Sequence, residues 1–434
     1  MAIQPPRGTR DFMPDVMIRR EYLLEMARAV FHDYGFQPME TPAFESWELL
    51  SRKGGGGEAV RDEVYYFRDK GKRELGLRFD LTVPMARVVA ANPQLPKPFK
   101  RYQIGRVWRY DRPQAGRFRE FWQADADIVG SSRMECEAEC LALAVSMLNQ
   151  LGFRKFRIKL NSRKILNGIV EMAGVKKGQE ADVFRILDKL EKIGGRAVRK
   201  ELMEIVPPKS AGRIMDAIGE KGPPSAVLRK GKWTDHSTSA TEGLEELREI
   251  VRLCRLYNIG KYIEIDFSLV RGLDYYTGPI FEISIESGKS VGSVAGGGRY
   301  DNLIELCGGR WTPAVGMSLG MERIYEIMDS EGMFDQPRTR TEVFVLSVDD
   351  SMRKEAVKLA EELRQKFVNT ETDLMGRDMK KQLSYVNSQG IRSVILVGPH
   401  ELRKNRFTLR DMKTGREAGL TRLQLIRRFG KHAD

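Results

Sequence analysis

Apolar residues recur at helical spacing through residues 15–34, at Ile18, Tyr22, Met26 and Val30, and Gly35 ends the run. This predicts an amphipathic helix. In segment 36–44, prolines at 38 and 42 restrict the chain to an extended or edge strand. Residues 101–130 switch to period two, as two alternating runs around a loop holding Arg112, Pro113, Gln114, Gly116 and Arg117, which predicts a β-hairpin. Helical spacing returns at 134–151 (Met134, Ala138, Leu141, Val145, Leu148) before Gly152. Phe156–Leu160 then reads as a strand and Asn161–Val170 as the opening of another helix. From about 178 to 250 the pattern is helical, charged and broken by glycine and proline, as in IVPPKSAG and EKGPPSAV, which predicts a small helical insertion. Residues 262–267, 279–286 and 291–295 regain β character and complete an antiparallel sheet, and Met317–Met328 reads as a helix beside the last strand.

Residues 330–341, SEGMFDQPRTRT, have the composition of a linker. Beyond them the period becomes α/β. A strand at Val343–Val348, helices at 352–367 and 377–389, a continuous apolar strand at Val394–Val397, a strand at 406–412 and a helix at 420–429 predict a separate small domain with a mostly buried sheet.

A chain of 434 residues is long enough for two or three domains with their own cores. The 73 basic and 60 acidic residues leave a net charge of +13, which favours a polyanionic partner. The C-terminal stretch is basic, with Arg403, Lys404, Arg406, Arg410, Lys413 and Arg416 among its cations, and suits contact with a phosphate backbone. The four cysteines show no disulfide framework and favour a reducing compartment. Cys136 and Cys140 lack two further soft ligands nearby, so buried thiols are preferred over a metal site. No apolar stretch is long enough to span a bilayer, which points to a cytoplasmic protein without a membrane partner. The four histidines lack nucleophiles or metal ligands beside them, which argues against histidine acid–base chemistry. The run Gly54–Gly57 lacks a hydrophobic period, and residues 52–62, which lie outside those the structure describes below, read as a mobile loop that orders over bound substrate.

The hairpin concentrates Arg106, Arg109, Arg112, Arg117 and Arg119. A solvated basic hairpin is one reading, and a site for an anionic, phosphate-rich ligand is the other. Alternation sets Arg109 on the face of Val107, and puts Gln123, Asp125 and Asp127 together on one face of the return strand. Three polar side chains on one face of a central strand suit a polar pocket. An Asp127 paired with a neighbouring arginine, supporting only the fold, is the alternative. Gly296-Gly297-Gly298-Arg299 lacks the lysine and Ser/Thr of a P-loop, and reads as a close approach of backbone to ligand.

Six segments in this order carry a resemblance: PPRGTRDFMP near the start, RFDLTVPMARVVA at 78–90, the hairpin, LVRGLDYYTGPIFE at 269–282, GSVAGGGRYDNL at 292–303 and TPAVGMSLGMERI at 312–324. Together they resemble the histidyl-tRNA synthetases, a class II aminoacyl-tRNA synthetase family, from about residue 5 to the C-terminus and most weakly over 178–250. Asp80-Leu81-Thr82 and Gln123-Ala124-Asp125-Ala126-Asp127 are similar to the archaeal and eukaryotic branch. The resemblance implies an α+β protein. A class II catalytic core, an antiparallel sheet flanked by helices, would occupy 1–177 and 251–329. The helical insertion would be 178–250, with even standing between RNA contact and a solvated face, followed by the linker at 330–341. An α/β anticodon-binding domain would occupy 342–434. Helix 15–34 and strand 36–44 would build a homodimer interface, or simply pack on their own sheet.

The implied activity is histidine–tRNA ligation, with L-histidine, ATP and tRNA(His) as partners and Mg²⁺ accompanying ATP. The resemblance implies that Arg109 grips the α-phosphate, that Arg117 and Arg323 hold the γ end, and that Phe121 stacks on adenine. Arg271 would sit between the α-phosphate and the carboxylate of histidine. Asp80, Thr82 and Gln123 would hold the α-amino group. Asp127 and Tyr276 would take the two imidazole nitrogens, with Tyr275 and Tyr300 shaping the pocket. From sequence alone Arg109 could equally be a surface arginine, Phe121 a core residue, and Arg271 the partner of Asp274 in a turn. Glu120 is the one carboxylate weighed for Mg²⁺, against a surface salt bridge. A catalytically silent paralogue, sensing histidine or uncharged tRNA, is the competing function, and an RNA-binding module without enzymology a third.

Overall fold

The structure, a computed structural model, describes residues 3–51, 63–110, 118–228, 237–271, 275–286 and 292–431. It divides into two compact units: Met1–Arg10 with Leu23–Met333, and Asp11–Tyr22 with Phe334–Asp434.

The strands of the first unit, in chain order, are β1 (Gln37–Pro38), β2 (Phe44–Ser46), β3 (Tyr66–Arg68), β4 (Glu74–Leu77), β5 (Phe99–Trp108) and β6 (Glu120–Val129). They continue as β7 (Phe156–Ser162), β8 (Lys221–Gly222), β9 (Ile263–Asp266), β10 (Pro279–Ile285), β11 (Ala295–Arg299) and β12 (Ala314–Gly320). Among the described residues, nine of these form one sheet in the order β1-β5-β6-β12-β11-β10-β7-β9-β8, and β2-β4-β3 form a small second sheet. The run from β5 through β12, β11 and β10 to β7 is antiparallel throughout.

The predicted hairpin is β5 and β6, paired from Phe99 opposite Val129 to Trp108 opposite Glu120. Both faces of β6 are buried beyond Trp122. Ala124, Ala126 and Ile128 occupy one face and Gln123, Asp125 and Asp127 the other, as the alternation requires. Helix Glu135–Gln150 packs on β6, β11 and β12 through an apolar stripe that includes Ala138, Leu141 and Leu148.

Two segments differ from expectation. Met317–Gly320 is the end of β12 and not the start of a helix, which runs Met321–Ser330. Met317 and Leu319 alternate with Gly316 and Ser318, a strand period that the flanking apolar residues disguise. The glycine run is itself a strand, β11, lying between β10 and β12.

Residues 178–250 are largely helical, with helices Glu180–Leu187, Leu190–Ile205, Pro208–Ile218 and Pro224–Val227. Helix Thr238–Leu256 then returns to pack on helices Arg163–Met172 and Glu135–Gln150.

The second unit holds β13 (Val343–Ser347), β14 (Thr370–Thr372), β15 (Ser393–Val397), β16 (Phe407–Asp411) and β17 (Glu417–Leu420), in the order β14-β13-β15-β16-β17. β13 is parallel to β14 and β15, and the remaining pairs are antiparallel. Val343, Val345, Ile395 and Val397 pack with Leu359, Leu363 and Leu425. Phe344, Leu346 and Val394 pack with Val386 and Ile391. A sheet covered on both faces explains the continuous apolar runs. Residues 11–22 belong to this unit, with Glu21 ion-paired to Arg340 at 2.9 Å.

Candidate active site

The first unit contains a cavity of about 510 Å³ whose wall draws on β6, β11 and β12, on the segment 79–82, and on the insertion. Its cationic residues come from separate parts of the chain. Arg109 continues the β5 ladder, its backbone N–H donating to Arg119 O at 3.0 Å. Its Nε donates to Phe79 O at 3.1 Å, and its guanidinium lies 5.3 Å from the centre of the Phe121 ring. Arg271 has a left-handed backbone, with φ of +61°. Its Nη1 donates to Glu282 Oε1 on β10 at 2.6 Å. Gly296 leaves room for this guanidinium, since a Cβ there would fall 2.5 Å from Nη1. Arg323, near the start of helix Met321–Ser330, donates to Ser293 O and also lines the cavity. Glu322 beside it pairs with Arg10 at 2.6 Å and accepts from the Trp122 backbone N–H.

The other lining is rich in buried acceptors. Asp80 accepts from Val83 N–H at 3.1 Å through Oδ1, and Oδ2 is buried with no hydrogen-bond partner among the described residues. Burial pushes its pKa up to about 6, against the pull of Val83 N–H and Arg109. Gln123 donates through Nε2 to Ser318 Oγ at 2.7 Å, which leaves its buried Oε1 unpartnered among the described residues. Asp125 lines the cavity between them, and burial pushes its carboxyl up to about 7. Tyr275 lies against Thr82, and Tyr276 against Arg271. The Tyr275 ring is 4.9 Å from that of Tyr276 and 5.7 Å from that of Tyr300.

The structure therefore gathers Asp80, Thr82, Arg109, Phe121, Gln123, Arg271, Tyr275, Tyr276, Tyr300 and Arg323 around one cavity. Arg117 and Asp274 lie outside the described residues. Two expected residues stand elsewhere. Asp127 is behind the wall, ion-paired with fully buried Arg101 at 2.7 Å and accepting from the Tyr300 hydroxyl. Arg101 sits directly opposite it on β5, and this cross-strand pairing draws the carboxylate away from the cavity. Gly316, opposite on β12, makes the room: a Cβ there would fall 1.9 Å from Asp127 Oδ1. Glu120 accepts from the Trp108 indole at 2.9 Å and pairs with Arg106 at 3.1 Å, outside the cavity wall. Arg299, in the glycine-rich segment, is structural, held by buried Glu137 at 2.6 Å. Among the described residues no group of three or more His, Cys, Asp or Glu side chains is placed to hold a metal ion.

Sequence reading left several wall residues unassigned. Asp125 and Ser318 face each other across β6 and β12. The alternation beginning at Gln123 already placed Asp125 on the correct face, without saying which acid the cavity would reach. Glu282 is a lone acid in the apolar strand GPIFEISI, a signal of a nearby cation. Phe184, Arg185, Asp188 and Lys192 bring the insertion to the cavity, and no periodicity announces that contact.

The histidyl-tRNA synthetase family model matches residues 8–324, and the anticodon-binding domain model matches residues 342–432. The histidine–tRNA ligase of Aeropyrum pernix is 42% identical over 95% of this chain and 94% of its own length. That of Pyrococcus furiosus is 36% identical over 99% of both chains. The crystal structure of histidyl-tRNA synthetase from Nostoc sp. PCC 7120 superposes with a TM-score of 0.84 at 29% identity, covering 99% of this chain and 100% of that one. Full-length likeness to ligases does not favour the silent-paralogue reading. A cavity walled by both arginines and buried acceptors, on an antiparallel sheet joined to a separate anticodon-binding unit, agrees with these matches, and the chain belongs to the histidyl-tRNA synthetase family.

Proposed function

We propose that this cavity activates L-histidine with ATP and then charges tRNA(His). A histidine carboxylate oxygen attacks the α-phosphorus, the bond to the bridging oxygen of the β-phosphate breaks, and pyrophosphate leaves. A terminal ribose hydroxyl of the tRNA then attacks the activated carbonyl, its proton is lost, and AMP departs. The protein forms no covalent bond in either step. It positions the reactants and holds charge that builds on the α-phosphate.

The observation that carries this reading is the polarity of the cavity wall. Arg109, Arg271 and Arg323 reach it from three separated segments, while Asp80 and Asp125 line it as buried acceptors. Arg109 and Arg271 are each fixed by a neighbour, Phe79 O and Glu282, so their guanidinium groups are oriented before substrate arrives. Phe121, beneath Arg109, would offer its ring to adenine. Asp80, Thr82 and Gln123 would receive the ammonium group, and Tyr276 would supply a donor to the ring. Mg²⁺ would enter as the counterion of the triphosphate.

The exposed aromatics Phe44 and Phe67, 6.3 Å apart on one face of the β2-β4-β3 sheet, support a homodimer through this face, which light scattering of the purified protein would test. Cys136, Cys140 and Cys254, buried and outside any disulfide, support a cytoplasmic setting. No helix among the described residues is long and apolar enough to cross a membrane.

Exchange of labelled pyrophosphate into ATP, run with each of the twenty amino acids, tests the reading. Exchange with histidine alone is expected, and its absence overturns the proposal.

A further inference from the structure

We propose that Arg10 is a positioning residue for ATP, acting from behind the cavity wall by holding Glu322 and neutralising it beside Arg323. This rests on the reading of the cavity as an ATP site. Glu322 is an unexpected carboxylate in such a site. It lines the cavity, is 4% exposed, and directly precedes an arginine expected to receive phosphate. A carboxylate in that position repels a triphosphate and competes with it for Arg323, unless a cation answers its charge.

Arg10 supplies such a cation from 312 positions earlier in the chain, its Nη2 donating to Glu322 Oε2 at 2.6 Å. The other oxygen, Oε1, accepts the Trp122 backbone N–H at 3.3 Å. Both oxygens of the acid are thus engaged, one by a charge and one by the backbone of β6. The Arg10 guanidinium also lies 3.5 Å from the centre of the Phe118 ring. Phe118, Trp122 and Glu322 all line the cavity, and Arg10 itself does not. Its influence on a ligand therefore passes through these neighbours.

The backbone is shaped to deliver this arginine. Thr9 N–H donates to Pro6 O at 3.0 Å, closing a turn in which Gly8 takes φ of +86°. Arg119 then donates its N–H to Gly8 O at 2.9 Å and its Nη1 to Arg7 O at 3.3 Å. Segment 7–10 is in this way fastened to the approach to β6, the stretch that carries Phe121 into the lining. The clasp joins three parts of the chain: the N-terminal segment, the hairpin with its adenine-facing ring, and the helix that presents Arg323. None of these contacts involves a residue assigned to histidine, so losing the clasp weakens the hold on ATP and spares the amino acid.

A brace for the fold alone and a neutralising clasp make opposite forecasts for a double variant. If Arg10 only braces, altering Glu322 as well adds a second loss. If Arg10 neutralises, Glu322→Gln removes the charge that Arg10 no longer answers, and its remaining oxygen still accepts from Trp122 N–H. The test measures histidine-dependent pyrophosphate exchange in full-length wild type, Arg10→Ala, Arg10→Lys and the double variant Arg10→Ala/Glu322→Gln. Arg10→Ala is expected to raise the KM for ATP at least fivefold, with the KM for histidine within twofold of wild type. Arg10→Lys, which keeps the charge, is expected to give a smaller rise than Arg10→Ala. The double variant is expected to have a lower KM for ATP than Arg10→Ala alone. A rise below fivefold in Arg10→Ala, an equal rise for histidine, a rise in Arg10→Lys as large as in Arg10→Ala, or a double variant no better than Arg10→Ala overturns the inference. Should Arg10→Ala fail to fold, Arg10→Gln keeps a neutral donor over Phe118, loses the charge, and takes its place alone and in the double variant under the same criteria. No exchange with histidine by the unmodified protein overturns instead the reading of the cavity itself.

Discussion

Arg271 combines a left-handed backbone, a carboxylate partner and a place in the cavity wall. An arginine accepts φ of +61° only at a cost, and strain of that kind persists where surrounding structure over-determines it. Arg271→Ala is expected to cut the rate of adenylate formation by roughly 10² or more, the scale for losing one fixed donor to a charged transition state. The circular dichroism spectrum and affinity for tRNA are expected to change little. Single-turnover assays measure the first and a melting curve checks the second. The buried acids make a different forecast. Burial raises Asp80 to about 6 and Asp125 to about 7, well above an unfolded carboxyl near 3.8. Between about pH 4 and 7 the folded protein therefore keeps protons that the unfolded chain has released. The associated stability is fully present below about pH 4 and is lost as pH rises through 6 and 7, by up to about 1.4 kcal/mol per pH unit for each group. Ligand-free protein is expected to melt at higher temperature at pH 5.5 than at pH 8, and Asp125→Asn is expected to flatten that difference. Carboxyls whose pKa is lowered, such as Asp411 at about 2, titrate below this window.

Among the elements, β11 is tightly constrained. Gly297 faces the Gly316 carbonyl on β12, and a Cβ placed on it would stand 2.1 Å from that oxygen. Backbone meets backbone there, so no side chain can swing away. Gly297→Ala is expected to cost about 3 kcal/mol or more, the upper range for overpacking. Gly195, which opens the helical run after the kink at Gly194, makes a useful contrast, because a Cβ there would meet only Met215 Cε at 3.6 Å and Leu190 Cδ1 at 4.0 Å. Gly195→Ala is expected to be neutral or to stabilise by about 0.5–1 kcal/mol. Urea titration of both variants decides. The hairpin and the helix before Gly35 were legible from their periods, and β13 and β15 from continuous apolar runs, the mark of a sheet covered on both faces. Met317–Gly320 was not, because an apolar run between a buried strand and a buried helix carries no period that separates them. The side of the strand that holds Asp127 was legible, but its partner was not. Arg101 lies 26 positions away, and only the register of β5 on β6 makes it the direct neighbour.

At the scale of the whole chain, the proposed function gives chemistry and RNA capture to different units, each with its own core. Lys404, Lys413 and Arg416 are exposed on the second unit. Reversing all three to glutamate is expected to lower kcat/KM for tRNA charging tenfold or more and to flatten its salt dependence, while histidine-dependent exchange stays within twofold of wild type. Equal loss of both activities would sink that division of labour. The two-unit layout was legible in the linker composition at 330–341 and the change of period after it. The membership of residues 11–22 in the second unit was not, since a helix's outward pattern does not name the surface it meets.

The glycine strand also bears on redesign. Where Gly296, Gly297 and Gly316 form the cavity floor, no atoms remain to be removed. A variant meant to accept a bulkier amino acid cannot be obtained by deepening this floor. Enlargement has to come from trimming larger wall residues such as Tyr275, Tyr276 or Met317, and at Tyr276 it also removes the donor proposed for the ring. Selection for enlarged substrates would therefore be expected to return changes at those three positions and none in the glycines, an asymmetry that sequencing of the selected pool would reveal.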